Sequence, residues 1–433
     1  MYFVIIADDL TGSSDSGVQF AKKGLKSSVF FNLNYLNKYQ IDADVVIIDT
    51  DSRGISKEEA YNKVLEASRQ LQKRDFKYLY KKIDSTLRGN IGAEINAILD
   101  IYPKDFAIIA PAYPSIGRTT LNGNHYLNGT LIHQTEIAMD PKTPVLESNI
   151  EKLLKLQTNR LSATIQLEDL RKGEAYIHSY LKNLKDNGIE LLVIDIQEEE
   201  DLHRLTKYVL TSEYDVLWVG SAGLAEHLSL NSELNNQQTD MEFSKNNAPV
   251  IVVAGSMSQV TKAQIEYMKD MKNISFIELN PIVLFNETLK RYELERCKTT
   301  LVNEVMNGRD VVLYVGTQPE QIAKARENGM KIGFNHIEIS NFIAKSLGEI
   351  IASVINYINI SGLVLTGGDT AKAVSRQIQV QGMQLFKEVE NGIPLGKLIG
   401  KYEFPVVTKA GAFGSKTALF KAIKLLKGDA NDE

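Results

Sequence analysis

The feature that most constrains the fold is a repeated three-part grammar. A short run of β-branched residues leads into a polar or glycine-rich loop, which leads into a stretch with helical periodicity. "FVIIADDLTGSSDSGVQFAKKG" is the first instance, with Gly24 as the expected helix stop. "VVIIDTDSRGISKEEA" is the second, with Ser56 and Glu59 spaced as a capping box. "KYLYKKIDSTLRGNIGAEINAIL" is the third, and there Ile91, Ile95, Ile98 and Leu99 recur at helical spacing. "FAIIAPAYPSIGR", "LLVIDIQEEEDL" and "DVLWVGSAGLAEHL" extend the series. Strands that alternate with helices specify a mainly parallel sheet flanked by helices, an α/β fold. "LNGNHYLNG" interrupts the grammar, and its two Asn-Gly steps predict a β-hairpin excursion.

Near residue 231 the composition changes. "NSELNNQQTDMEFSKNNA" is rich in Asn and Gln and lacks apolar periodicity, so 231–248 reads as a linker. The grammar restarts at "PVIVVAGSMSQVTKAQIEYM" and returns at "DVVLYVGTQPEQIAKA", "GLVLTGGDTAKAVSRQI" and "FPVVTKAGAFGSKTALFKAI". Two α/β domains are expected, over 1–230 and 249–433. A chain of 433 residues is long enough to give each a substantial core.

Charge and cysteine usage narrow the function classes. The net charge is −5, so no basic excess points to nucleic acid or to an anionic membrane surface. No segment reaches the ~18 apolar residues of a membrane helix, and the start lacks the basic end of a signal peptide. A cytoplasmic protein is the natural reading. Cys297 is the single cysteine, which excludes an intrachain disulfide and disfavours a cysteine-based zinc site; it reads as a small apolar helix residue. The six histidines show no metal-ligand spacing. No heptad or interface patch is legible, which leaves a homodimer open.

In open parallel sheets ligands bind outside the carboxyl ends of the strands. The N-terminal half places ionisable and hydroxyl side chains there: Asp8, Asp9, Thr11 and Asp15, then Asp51, Ser52 and Arg53, then Lys81, Lys82, Asp84, Ser85, Thr86 and Arg88, then Gly117, Arg118 and Thr119. Each residue alone could be a cap or a solvated turn. Four such loops together suit a small, polyhydroxylated, anionic ligand. Arginine and lysine would pair with its carboxylate, and aspartates would accept from its hydroxyls, one of them as general base.

The C-terminal half places glycines and small hydroxyl residues at the same positions: Gly255, Ser256 and Ser258, then Gly367, Gly368, Asp369 and Thr370, then Lys409, Gly411 and Gly414. Glycine lets backbone N–H groups approach a phosphate, and a following helix adds a favourable dipole. One such loop is common in any tight turn; three in one domain suggest a nucleotide cradle, with Asp369 placed to organise Mg²⁺. The usual fingerprints are absent. "GAFGSKT" misses the P-loop pattern by one serine, and no G-x-G-x-x-G follows a strand.

These motifs together resemble the four-carbon acid sugar kinase family. The matching segments are "ADDLTGSSD" (7–15), "DSRG" (51–54), "KKIDSTLRGNIGAE" (81–94), "APAYPSIGR" (110–118), "VGSAGLA" (219–225), "GSMS" (255–258), "LTGGDTA" (365–371) and "KAGAFG" (409–414). Ser13 stands where alanine is usual and Ala412 where glycine is usual. The resemblance implies an acid-sugar domain followed by an ATP domain. It implies phosphorylation of the terminal 4-hydroxyl of D-threonate, D-erythronate or a 3-oxo-tetronate. Ser256 or Ser258, Gly367, Gly368, Asp369, Thr370 and Gly411 would contact ATP, and Mg²⁺ would accompany it at Asp369. Asp8, Asp9, Arg53, Lys82, Asp84, Ser85 and Arg118 are the expected substrate contacts. Lys82, Asp84 and Arg88 are the expected catalytic groups, with Asp84 leading as proton acceptor because its loop is densest in acids and bases. The alternatives are a kinase of another small sugar acid or hydroxy acid, a non-catalytic nucleotide- and metabolite-binding regulator, and a hydrolase using Asp8, Asp9 and a metal. Stereochemistry of the substrate is not encoded in these motifs.

Overall fold

The structure is a computed structural model that describes residues 1–31, 42–140, 142–231, 245–256 and 258–429. Most of the stretch read as a linker lies outside the described residues. The chain divides into two compact units, Met1–Thr239 and Asp240–Glu433.

The first unit follows the α/β grammar. Its strands are β1 (Phe3–Ala7), β2 (Ser27–Phe30), β3 (Val45–Asp49), β4 (Tyr78–Lys82), β5 (Phe106–Ala110), β9 (Ser162–Ile165), β10 (Leu191–Ile194) and β11 (Val216–Gly220). They lie in the order β2-β3-β1-β4-β11-β5-β10-β9, and every pairing among them is parallel. β1, β5 and β11 are buried along their whole length, as strands covered on both faces must be. The helix Lys57–Leu71 starts at the expected capping box. Ser56 Oγ accepts from Glu59 N at 3.3 Å, and Ser56 N donates to the Glu59 carboxylate at 3.1 Å.

The expected hairpin is present as a three-stranded antiparallel meander of β6 (Arg118–Leu121), β7 (Asn124–Leu127) and β8 (Thr130–Leu131). Its turns place Asn122 at φ 51° and Gly123 at φ 69°, then Asn128 at φ 50° and Gly129 at φ 79°. Two consecutive left-handed residues match the right-handed twist of a tight hairpin, which is why Asn-Gly recurs.

The second unit contains β12 (Val250–Ala254), β13 (Ile274–Leu279), β14 (Asp310–Val315), β15 (Gly362–Thr366), β16 (Val380–Glu390), β17 (Ile393–Gly400) and β18 (Pro405–Lys409). Their order is β13-β14-β12-β15-β18-β17-β16. The first five in that order pair in parallel, and β17 runs antiparallel to both neighbours. Alternate residues Val250, Val252 and Ala254 pack with Ile265, Met268, Leu419 and Ile423 from the helices Gln259–Met268 and Ala418–Leu426. Each valine, isoleucine, leucine or methionine among them contributes about 1.5–3 kcal/mol on burial, so the cluster fixes both helices against β12. Cys297 is buried in the helix Glu287–Met306. No helix among the described residues is long and apolar enough to cross a membrane.

Candidate active site

In the first unit the carboxyl ends of β1, β3 and β4 are adjacent, and Asp8, Asp9, Arg53 and Asp84 meet there. Arg53 is the hub. Its Nε lies 2.8 Å from Asp8 Oδ2, and its Nη2 lies 2.9 Å from Asp8 Oδ1 and 2.7 Å from Asp9 Oδ1. Its Nη1 lies 3.6 Å from Asp84 Oδ1. Arg88 continues the chain: Nε and Nη2 grip Asp84 at 2.8 and 3.1 Å, and Nη1 reaches Asp140 at 3.1 Å.

These pairings set the protonation states. Burial alone would raise the Asp84 carboxyl, but Arg53 and Arg88 outweigh it and hold it well below the usual carboxylate range. Asp8 is likewise lowered, burial being overcome by Arg53. Arg53 stays charged despite its own burial because Asp8, Asp9 and Asp84 surround it.

Oxygen occupancy separates the three aspartates. Both oxygens of Asp8 accept from Arg53. Both oxygens of Asp84 accept from Arg88, and Oδ2 also accepts from Thr86 N and Thr86 Oγ1. Asp9 uses only Oδ1, which accepts from Arg53 and, as the N-cap of the helix Leu10–Ala21, from Gly12 N at 2.9 Å. Among the described residues nothing bonds Asp9 Oδ2.

The two lysines part company because β4 extends through them. Consecutive strand residues point to opposite faces. Lys81 is fully buried and its Nζ lies 2.5 Å from Glu94 Oε2, itself 1% exposed. Burial raises the Glu94 carboxyl even beside Lys81. Lys82 turns toward the other cluster. Its Nζ donates to Ile83 O at 2.9 Å, and a Cβ built on Gly12 would fall 2.6 Å from Asp9 Oδ1 and 2.9 Å from Lys82 Nζ. Glycine at 12 is therefore what lets the two groups flank the helix start. Among the described residues Lys82 has no carboxylate partner. Arg118, at the start of β6, donates through Nη1 to Ile116 O, while its buried Nε has no partner among the described residues. Burial lowers the Arg118 pKa, with Asp84 pulling the other way and Arg88 adding to the drop. Ser85 is half-buried in the turn after Asp84.

In the second unit three strand-end loops converge. A Cβ at Gly255 would lie 2.1 Å from Thr370 Oγ1, and one at Gly411 would lie 2.1 Å from Ser256 Oγ. Gly367 sits at φ +100° with Thr370 and Ser256 within 3.4 Å of where its Cβ would be. Ser258 caps the helix Gln259–Met268 by accepting from Thr261 N at 3.1 Å, and its hydroxyl donates to Gly411 O at 2.5 Å. The helix Gly368–Gln377 begins at Gly367 with no side-chain cap among the described residues. Asp369 is exposed in that first turn.

Lys409 organises the third loop from beneath. Its Nζ donates to the carbonyls of Ala410, Gly411 and Phe413 at 2.9, 3.0 and 3.1 Å. Gln264 donates to Ser415 O at 2.8 Å. Burial pushes Lys409 down to about 8. Drawing these carbonyls toward one ammonium fixes the peptide planes of the loop.

Sequence reasoning grouped these residues but missed several partners. Asp140 and Glu94 carry no motif signal that they neutralise Arg88 and Lys81. Lys409 was visible as a loop residue, not as its anchor. The parity of Lys81 and Lys82 was available once the strand is taken to run through Lys82.

Comparisons with known proteins agree with this division. A family model described as a sugar-binding N-terminal domain matches residues 3–228. A second, described as a nucleotide-binding C-terminal domain, matches residues 251–419. These domain matches, with relatives named as kinases, define a phosphotransferase with one sugar-binding and one nucleotide-binding unit. The chain belongs to the four-carbon acid sugar kinase family. It is 32% identical to a D-threonate kinase of Salmonella typhimurium over 98% of both chains. It is 28% identical to a D-erythronate kinase of Heliobacterium modesticaldum, over 99% of this chain and 98% of that one. It is 26% identical to a 3-oxo-tetronate kinase of Pseudomonas savastanoi pv. phaseolicola, over 98% and 97%. The fold is shared with the crystal structure of Haemophilus influenzae protein HI1011, at a TM-score of 0.77 and 22% identity, covering 98% of this chain and 99% of that chain.

Proposed function

We propose that the protein transfers the γ-phosphoryl group of ATP to the terminal hydroxyl of a four-carbon acid sugar: D-threonate, D-erythronate or a 3-oxo-tetronate. The observation that carries this reading is an imbalance in the first unit. Arg53 and Arg88 are consumed by aspartates, whereas Lys82 and Arg118 flank the cluster without an ion pair to any carboxylate among the described residues. Two such cations suit one ligand carboxylate and the charge of a transferring phosphoryl group. Arg53 and Arg88 hold the frame. The relatives named as D-threonate, D-erythronate and 3-oxo-tetronate kinases support this substrate class.

In the reaction the hydroxyl oxygen attacks the γ-phosphorus. The bond from that phosphorus to the β–γ bridging oxygen breaks, ADP leaves, and the hydroxyl proton passes to a carboxylate. Asp84 is the weaker acceptor, since both its oxygens are bonded and its pKa is held low. Asp9, with Oδ2 open, is the better placed group, and Asp84 acts as a positioning residue for its loop. The glycine loops and the uncapped start of the helix Gly368–Gln377 would take the ATP phosphates, with Ser256, Ser258, Thr370 and Gly411 lining them. Among the described residues no three acidic, histidine or cysteine side chains cluster as a metal site. Asp369, exposed in the first turn of the helix Gly368–Gln377, would hold Mg²⁺, which takes few protein ligands and would supply charge neutralisation at the phosphates.

The test is a coupled assay of ADP release with a panel of tetronic acids, ATP and Mg²⁺. Turnover of one or more panel members is expected. Nucleotide binding without turnover across the panel would contradict it in favour of a regulator. Phosphate release without nucleotide would favour a hydrolase, a reading that the capture of Asp8 and Asp9 by Arg53 disfavours. Asp9→Asn keeps the helix cap and should lower kcat by about 10²–10⁴-fold. Asp84→Asn should act mainly on the KM for the acid.

A further inference from the structure

The hairpin that interrupts the strand–helix grammar contributes Arg118 to the site at its first residue, and the rest of it is fastened at several points. Thr120 exchanges backbone hydrogen bonds with Ile196 at 2.8 and 2.9 Å. The N–H groups of Asn122 and Gly123 donate to the two oxygens of Asp195 at 2.7 and 2.9 Å. His125 N donates to Ser148 O at 2.8 Å. The ring that this frame holds still is that of His125, fully buried like Thr120.

His125 Nε2 lies 2.8 Å from the carbonyl oxygen of Ser85, and Nδ1 lies 3.0 Å from Thr120 Oγ1. A carbonyl can only accept, so Nε2 carries the proton and Nδ1 accepts from the Thr120 hydroxyl. Burial pushes His125 down to about 4, so this neutral tautomer persists through physiological pH. In a trans peptide the C=O and the following N–H point in opposite directions. Holding Ser85 C=O therefore aims Thr86 N–H the other way, at Asp84 Oδ2 3.2 Å off. The turn needs such support, because Leu87 is a buried non-glycine residue at φ +61°.

We infer that His125 is a positioning residue of the acid-sugar site: the hairpin presents its imidazole to the Ser85–Thr86 peptide, and that peptide sets the orientation of Asp84 and hence of Arg53 and Arg88. The inference rests on the acid-sugar reading of the first unit. It assigns the hairpin a second purpose beside carrying Arg118, which is to brace the 84–88 turn from outside.

The test uses the full-length protein in the ADP-release assay, with separate KM values for the acid and for ATP. His125→Leu removes the donor and should lower kcat/KM for the acid by about 100-fold, the cost of a small misplacement, with the KM for ATP unchanged. His125→Gln, whose amide nitrogen reaches near the position of Nε2, should restore most of the loss. His125→Asn, whose amide reaches only the position of Nδ1, should not. If the leucine variant fails to fold, the contrast between Gln and Asn at matched thermal midpoints decides. Equal activity of the Gln and Asn variants, wild-type values in the leucine variant, or an equal rise in the KM for ATP would overturn the inference. Absence of turnover of any tetronate by the wild type would overturn the acid-sugar reading and this inference with it; wild-type turnover with unaffected variants would overturn only the role of His125.

Discussion

In the first unit the opening strand β1 lies between β3 and β4, and in the second the opening strand β12 lies between β14 and β15. Both sheets thus wind outward, return beside the first strand and cross to its other side, which opens a crevice at the same place. The crevices are furnished in opposite ways. In the first, side-chain charges are packed so densely that most neutralise one another; among the described residues Lys82, Arg118 and one oxygen of Asp9 stand outside these ion pairs, and they are the proposed partners of the acid. In the second, side chains are pared back to glycine, and backbone dipoles and a helix start are the proposed partners of the nucleotide. The difference teaches that one winding serves either chemistry. A small acid with several hydroxyls needs directional side-chain partners. A polyphosphate needs close approach to N–H groups, which a Cβ would block.

Lys81→Met removes one partner of a buried ion pair and leaves Glu94 uncompensated, so it should destabilise the protein by about 3–5 kcal/mol. A Lys81→Met, Glu94→Leu double variant should recover much of that in denaturant unfolding. Lys82→Met lies one residue away and should instead spare stability while lowering kcat/KM for the acid by about 100-fold, or ~2.7 kcal/mol. If both lysine variants lose stability alike, the assignment of opposite roles is wrong. Gly367→Ala forces a side chain onto φ +100° and should raise the KM for ATP about tenfold, roughly 1.4 kcal/mol, with the KM for the acid unchanged. The smallest effect is one of pH. Lys409, lowered by burial to about 8, loses its proton as pH rises through that value, and the carbonyls it holds lose an ammonium donor. The KM for ATP should climb about two- to threefold between pH 7 and 9 if ~0.5 kcal/mol of loop order is lost. Lys409→Met should abolish the pH dependence. The arginine–carboxylate chain of the first unit does not titrate in that window, because Asp8 and Asp84 are shifted down and Arg53 and Arg88 up.

Much of the fold is legible in the sequence alone. The β-branched runs became the parallel strands, Ser56 and Glu59 became a reciprocal cap, and the two Asn-Gly steps became left-handed turns, since each is a local signal with a local cause. The crevice loops were legible as a set because strand ends in one parallel sheet must lie side by side. What the sequence did not yield is the pairing. Arg53 finds Asp8 across 45 positions and Arg88 finds Asp140 across 52. No local pattern encodes which distant partner a charged group will find, so the motif that points to Asp84 and Arg88 as catalytic groups does not reveal their pairing with Arg53 and Asp140. His125 was equally hidden, because its partner Ser85 precedes it by 40 positions on another element.

The central claim is the division of labour between the two crevices. The most direct test is to measure equilibrium binding of the acid sugar and of ATP, each alone, to the Lys82→Met and Gly367→Ala variants by titration calorimetry. The account predicts a crossed pattern: Lys82→Met loses the acid and keeps ATP, and Gly367→Ala loses ATP and keeps the acid. Parallel weakening of both ligands in either variant, or undiminished acid binding by Lys82→Met, would contradict it.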